Sequence, residues 1–297
     1  KRFEEAIDAL KKSKKKGAAN LYELPWYVII GPPGSGKTTV LVNSGLNFPL
    51  AQKFGKDALR GVGGTRHCDW GFTDKAILLD TAGRYTTQDS NARADAAGWV
   101  TFLQLLRKFR SRQPINGVIV AMSASDLLTS SEQERERHVI AIRERLAELG
   151  RTLGIDVPVY FLVTKCDLVA GFSEFFDELG QDARAQVWGT TFPIEVTEAG
   201  QAPATFEKEF ERLIERLQQR VLPRMDSERD ARRRVGILAF PQQMAAFGPL
   251  LNDLLRRVFT TTDFEEQILL RGVYFTSGTQ EGTPVDRVLG SIERTFG

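Results

Sequence analysis

The eight residues Gly31-Pro32-Pro33-Gly34-Ser35-Gly36-Lys37-Thr38 constrain this chain more than any other part of it. They complete a GxxxxGK[ST] pattern. The apolar run Tyr27-Val28-Ile29-Ile30 leads in, and the helix-compatible Thr39-Val40-Leu41-Val42 leads out. Strand, glycine loop and helix start are the parts that a backbone cradle for phosphate needs. Glycines let N–H groups turn inward where a side chain blocks them. The helix start adds the positive end of a dipole. In such a loop the lysine, here Lys37, reaches the β- and γ-phosphates of a nucleotide, and the hydroxyl of Thr38 ligates Mg²⁺. Gly31, Gly34, Ser35, Gly36, Lys37, Thr38 and Thr39 are the candidate phosphate-binding residues. The competing reading is a glycine-rich turn with a surface lysine.

Two later stretches bear on that choice. The strand-like Ala76-Ile77-Leu78-Leu79 ends in Asp80-Thr81-Ala82-Gly83, and Val157 to Val163 ends in Thr164-Lys165-Cys166-Asp167. An aspartate closing a buried strand can hold a Mg²⁺ shell, directly or through water, and Gly83 leaves its N–H free to approach a γ-phosphate. Each stretch alone is a common turn sequence. Their order, each at the end of an apolar run, is harder to produce by chance.

That ordered set resembles the GTPase side of the P-loop superfamily, over about residues 21 to 200. The resemblance implies that Lys165 packs along a guanine plane and that Asp167 accepts from the guanine N1–H and 2-amino groups. A buried carboxylate without such donors costs several kcal/mol. Taken with Gly63-Gly64-Thr65-Arg66, with Arg84-Tyr85 after the DTAG, and with the late run Leu270 to Gly282, the chain is similar to the TssM/IcmF family. That resemblance implies the cytoplasmic NTPase domain of a bacterial inner-membrane protein of type VI secretion, with transmembrane segments outside this sequence. It also implies partners among the other membrane and baseplate components. The catalytic candidates are Lys37, Thr65 and Arg84, and the metal candidates are Thr38, Thr65 and Asp80. Thr65 stands where a switch threonine caps the γ-phosphate, or is an ordinary turn residue. Arg84 occupies the place of the glutamine that orients water in many GTPases. Arginine cannot act as a base, so it stabilises charge or points elsewhere, and turnover is expected to be slow. Pro32-Pro33 looks more like ATPase loops, so the nucleotide is GTP or ATP. No SAK-like base loop stands out; the candidates are Trp188-Gly189-Thr190-Thr191 and Phe240-Pro241-Gln242-Gln243.

The expected fold is α/β: a P-loop NTPase with a GTPase-like, mostly parallel sheet and helices on both faces, followed by a C-terminal α/β or helical extension. The expected units are a basic linker over 1–20, the nucleotide domain over 21–200 and the extension over 201–297. Strands are expected at 26–30, 68–73, 75–80, 115–122 and 157–163, with a hairpin between the second and third. A helix is expected from Gln133 to Leu153, with Val139, Ile142, Leu146, Leu149 and Leu153 on one face and a cap from Ser130-Ser131. His138 reads as a surface residue of that helix. Past residue 200, a stripe from Phe206 to Val221 ends at Pro223, Met225 to Arg234 reads as a surface connection, and Val235 to Phe240 and Ile268 to Thr276 read as strands. Met244 to Val258 reads as a helix. This part either extends the main sheet or forms a separate lobe.

With 297 residues and 42% apolar content a sizeable core is available. A net charge of +2 gives no global argument for nucleic acid as a partner. No run reaches 18 apolar residues, so nothing here is expected to span a bilayer. With no initial Met and no signal-peptide pattern, the sequence reads as a fragment. The basic run Lys11-Lys12-Ser13-Lys14-Lys15-Lys16 is a solvated tail or a segment held near an anionic membrane surface. Cys68 and Cys166 have no ligand spacing and read as reduced thiols. Three functions compete. The first is a Mg²⁺-dependent NTPase switch in a secretion complex. The second is an AAA-type ATPase, which wants an acidic residue where Thr81 stands. The third is a scaffold with a degenerate nucleotide site. A turnover assay separates the first from the third.

Overall fold

A computed structural model describes residues 23–46, 68–87, 92–260 and 267–277. Thr65 with its neighbours 61–66, the basic run 11–16 and residues 278–282 of the late run lie outside the described residues. β1 (Trp26–Ile30), β2 (Cys68–Phe72), β3 (Ile77–Thr81), β4 (Gly117–Ser123), β5 (Pro158–Thr164), β6 (Trp188–Thr191) and β7 (Leu269–Phe275) form one seven-stranded sheet. The strand order is β2-β3-β1-β4-β5-β7-β6. The β1–β3, β1–β4, β4–β5 and β5–β7 pairs are parallel, and the outer pairs β2–β3 and β6–β7 are antiparallel. The architecture is therefore mixed α/β with a mostly parallel sheet. The expected hairpin joins β2 to β3, closed where the Thr73 hydroxyl donates to the Ala76 carbonyl at 2.8 Å.

The helices are α1 (Lys37–Val42), α2 (Gly83–Thr87), α3 (Ala92–Phe109), α4 (Ala124–Thr129), α5 (Glu132–Leu153), α6 (Phe172–Phe176), α7 (Gln181–Arg184), α8 (Ile194–Glu198), α9 (Ala202–Ser227) and α10 (Ala231–Phe259). Alternation along the strands sends side chains to opposite faces. Trp26, Val28 and Ile30 of β1 enter a large apolar core with α3, α5, α9 and α10, while Ile29 joins Leu78, Ala121 and Leu41 of α1 in a smaller cluster. Helices thus stand on both faces. In α5 the five expected residues are buried. Ser131 and Glu134 exchange side-chain and backbone hydrogen bonds in a capping box, a device worth about 1 kcal/mol. His138 is half-exposed on that helix.

The C-terminal part departs from the expected elements. Val235 to Phe240 is not a strand but the second turn onward of α10. Asp230 starts that helix by accepting from the N–H groups of Arg232 and Arg233. Ile237, Phe240, Met244 and Phe247 then fall three and four apart and are all buried, whereas Val235 is 66% exposed. A short apolar run fits either period, and the longer helical spacing decides it. α9 does not stop at Pro223. It runs to Ser227, and Arg224 one residue later is buried and donates to the carbonyls of Phe175 and Glu174. The connection expected over 225–234 shrinks to residues 228–230. β7 lies between β5 and β6, so the C-terminal stretch extends the main sheet. Among the described residues no helix is long and apolar enough to cross a membrane.

Candidate functional site

Parallel strands carry their carboxyl ends to one edge of a sheet, and ligands bind there, outside those ends. β1, β3, β5 and β7 bring four loops to that edge: Gly31 to Gly36, Ala82 to Gly83, Lys165 to Asp167, and Thr276 to Ser277. Gly34 and Gly36 both take φ of 77°, the left-handed conformation that the winding of the first loop requires. Ser35 is fully buried. Lys37 folds over the loop: its ammonium donates to the carbonyls of Gly31 at 2.8 Å and Pro32 at 3.0 Å, and to the Ser35 hydroxyl at 3.3 Å. Burial lowers its pKa to about 8, against the opposing pull of the Asp80 carboxylate. Thr39 is exposed on α1.

The Thr38 hydroxyl donates to Asp80 Oδ2 at 2.5 Å, and Asp80 is 2% exposed. A hydroxyl and a carboxylate at this spacing fit the oxygen-only preference of Mg²⁺, which takes one or two protein ligands and fills its shell with phosphate and water. The described residues hold no cluster of three or more His, Cys, Asp or Glu side chains able to hold a metal by themselves. Gly83 opens α2 directly against the first loop. A Cβ there would lie 2.5 Å from Pro33 N and 2.6 Å from Pro33 Cα, so no larger residue fits. Arg84 turns away to Asp95 of α3, Nε to Oδ1 3.2 Å, and lies over the Tyr85 ring.

At the other end, Lys165 takes φ of 55°, a conformation uncommon outside glycine. It turns the chain into a short 3₁₀ segment, Cys166–Leu168, that buries Asp167. Asp167 Oδ1 accepts from the Ser277 hydroxyl at 2.7 Å. The Thr164 hydroxyl donates to the Ser35 carbonyl at 2.7 Å, tying this loop to the first. The structure therefore brings together Gly31, Gly34, Ser35, Gly36, Lys37, Thr38, Asp80, Gly83, Lys165 and Asp167. Of the two candidate base loops, Phe240 to Gln243 is inside α10, and Trp188 to Thr191 is edge strand β6, whose first residue pairs with Phe275 at the carboxyl end of β7. The loop beside Asp167 is Thr276-Ser277, at the end of β7, anchored where Thr276 N–H donates to Val163 O and Cys166 N–H to Thr276 O. Its sequence signal was a small hydroxyl residue just past a strand. Both cysteines are free, and burial pushes Cys68 well up and Cys166 to about 12, so neither is a thiolate at neutral pH.

Residues 92–297 match the family profile described as the IcmF-related N-terminal domain. The chain is also 55% identical over 298 aligned positions to the type VI secretion system component TssM1 of Pseudomonas aeruginosa. That match takes in 99% of this chain and 27% of the relative, so the chain spans about a quarter of the relative's length. The chain belongs to the TssM/IcmF family. Among solved structures it is similar to the signal recognition particle receptor SRb-GTP/SRX complex of Chaetomium thermophilum, at 19% identity and a TM-score of 0.30 over 51% of this chain and 76% of that one. It is similar too to a structure described as SsGBP with GDP, at 16% identity and a TM-score of 0.28 over 55% and 40%. At these scores the likenesses carry no argument about function.

Proposed function

We propose that this domain binds a nucleoside triphosphate with Mg²⁺ and hydrolyses it slowly, as a switch or energiser within a type VI secretion membrane complex. The observation that carries the proposal is the convergence of Lys37, the Thr38–Asp80 pair and Asp167 on one sheet edge. The wound glycine loop offers N–H groups to the phosphates, and Lys37 sits within it as a fixed positive charge. The Thr38 hydroxyl and the Asp80 carboxylate would hold Mg²⁺, which would supply neutralisation of phosphate charge. Thr65 is proposed as a further ligand of the metal and the γ-phosphate. Phosphoryl transfer depends on positioning and charge stabilisation. Arg84, held by Asp95, contributes neither a base nor an oriented water, which supports slow turnover. The same contact also favours a second reading, a scaffold whose site binds nucleotide without turning it over.

The base is proposed to be guanine. Ser277 leaves Asp167 as an oriented acceptor, the match for the N1–H and 2-amino donors that adenine lacks, and sites built on such bonds discriminate strongly. The proposed setting is the cytoplasmic face of the inner membrane, beside other membrane and baseplate components. It rests on family membership and on the likeness to a type VI secretion system component. Competitive titration with GTP and ATP tests the base. GTP is expected to bind more tightly, and Asp167→Asn to lower GTP affinity while improving xanthosine triphosphate. A GTP/ATP ratio near one, unmoved by Asp167→Asn, defeats the guanine assignment and leaves the phosphate site intact.

A further inference from the structure

α2 has only five residues, too few to hold its own conformation, so its position comes from its neighbours. Three elements pin it. The first is the glycine loop: Gly31 N–H donates to the Thr86 hydroxyl oxygen at 3.0 Å, and Thr86 is 2% exposed. The second is α5, where Arg145, 3% exposed, donates from Nη1 to the Tyr85 carbonyl at 3.4 Å and is itself held by Glu148 at 3.0 Å. The third is α3, where Asp95 pairs with Arg84 and the buried Tyr85 ring lies against Gly98. Gly83 stands one turn before Thr86 on the same helix and meets the backbone of Pro33.

We infer that Thr86 and Arg145 are positioning residues that set the distance between Gly83 and the glycine loop, and so the affinity for the third phosphate. This rests on the nucleotide reading above. A single helical turn moves as a unit, so the bond at Thr86 fixes its start as well. The γ-phosphate is the group an N–H at Gly83 meets; the α- and β-phosphates lie with the glycine loop, and Lys37 reaches the β- and γ-phosphates. Loosening α2 therefore weakens a triphosphate and spares a diphosphate. A purely structural role weakens both alike.

The test is calorimetric titration, with Mg²⁺ in excess, of a non-hydrolysable triphosphate and the diphosphate of whichever base the parent prefers. Thr86→Val keeps the shape and removes the acceptor, and Thr86→Ser keeps the acceptor. Thr86→Val is expected to weaken the triphosphate about tenfold, the size of one lost hydrogen bond, with the diphosphate within about twofold, and Thr86→Ser to restore the parent ratio. If Thr86→Val does not fold, Arg145→Lys, too short to reach the Tyr85 carbonyl, carries the same triphosphate-selective expectation. An equal loss for both nucleotides, no loss, or a tightened triphosphate overturns the positioning role while leaving the nucleotide site standing. A parent that binds neither nucleotide overturns the nucleotide reading, and the positioning role with it.

Discussion

Lys37→Met separates a ligand-binding lysine from a structural one. Methionine keeps the apolar stem and removes the charge. In the folded protein the ammonium is held by two carbonyls, at 2.8 and 3.0 Å, and by a serine hydroxyl. These bonds work against desolvation, and desolvation prevails: the pKa falls from 10.5 to about 8, so at about 1.4 kcal/mol per pH unit the fold disfavours the ammonium relative to the neutral amine by roughly 3.5 kcal/mol. Removing the charge therefore costs the fold little, and Lys37→Met should change stability by no more than about 3 kcal/mol, a shift in melting temperature of about 2–4 °C per kcal/mol. Affinity behaves differently, because phosphates lose a charge-assisted partner. A loss of about 1.5–3 kcal/mol corresponds to a roughly tenfold to 150-fold rise in Kd. Titration calorimetry reads the second quantity and thermal melting the first. A variant that melts far below the parent yet binds nucleotide with parental Kd would refute the reasoning, since Lys37 would then serve the loop alone.

Because the folded pKa of Lys37 lies near 8, nucleotide affinity should fall as pH rises above about 8, with proton uptake on binding, and Lys37→Met should abolish that slope. The sign for folding is opposite: the folded pKa is depressed, so the burial cost is present below pH 8 and is relieved between 8 and 10.5, and parent stability relative to Lys37→Met should rise across that window. Turnover by dilute isolated protein should lie well below the enzyme median of about 10 s⁻¹, since Arg84 is engaged by Asp95; turnover at or above that median in a phosphate-release assay contradicts this. Binding to anionic vesicles should weaken with salt, and unchanged binding after deletion of residues 1–16 makes the run from Lys11 to Lys16 a solvated tail.

What was legible in the sequence was local chemistry at strand ends. The glycine loop, DTAG and TKCD each carry their own signal over a few residues, and the parallel order of their strands carries all three to one edge. The groups that tie them together were not legible. Thr86, Asp95 and Arg145 lie in stretches whose residue types are ordinary, Ser277 lies in the late run without a role that the run itself spells out, and each acquires its role from a partner 11 to 110 positions away. Thr164 was read as part of TKCD, yet its bond to the Ser35 carbonyl depends on the β1-β4-β5 order of the sheet. The strand assigned to Val235 to Phe240 failed for a different reason. A run of six residues, five of them apolar, fits both periods, and the deciding partners, Met244 and Phe247, lie beyond the window. Pro223 misled because its helix continues on bonds made by Arg224 to another element, not on its own propensity.

The ties found at the two ends of the site differ in kind. At the base end, Asp167 and Ser277 are side chains on loops between a parallel pair of strands, and Thr164 fastens the same loop to the cradle. Sheet strands do not shift independently, so on the proposed reading this end is preorganised for a base, which lowers the ordering cost of binding. At the γ-phosphate end, Gly83 sits on a single turn held by one hydroxyl, one guanidinium and one ion pair, each contributing on the order of 1 kcal/mol. A ligand shifts an equilibrium only by its differential interaction with two states. On the proposed reading only the third phosphate meets the weakly held element, so the difference between triphosphate and diphosphate is what moves it. α2 packs on α5, and α5 in turn is fastened to α10 through Arg143, which donates to the carbonyls of Arg257 and Thr260 at the end of that helix. α2 is thus joined through α5 to the C-terminal helix.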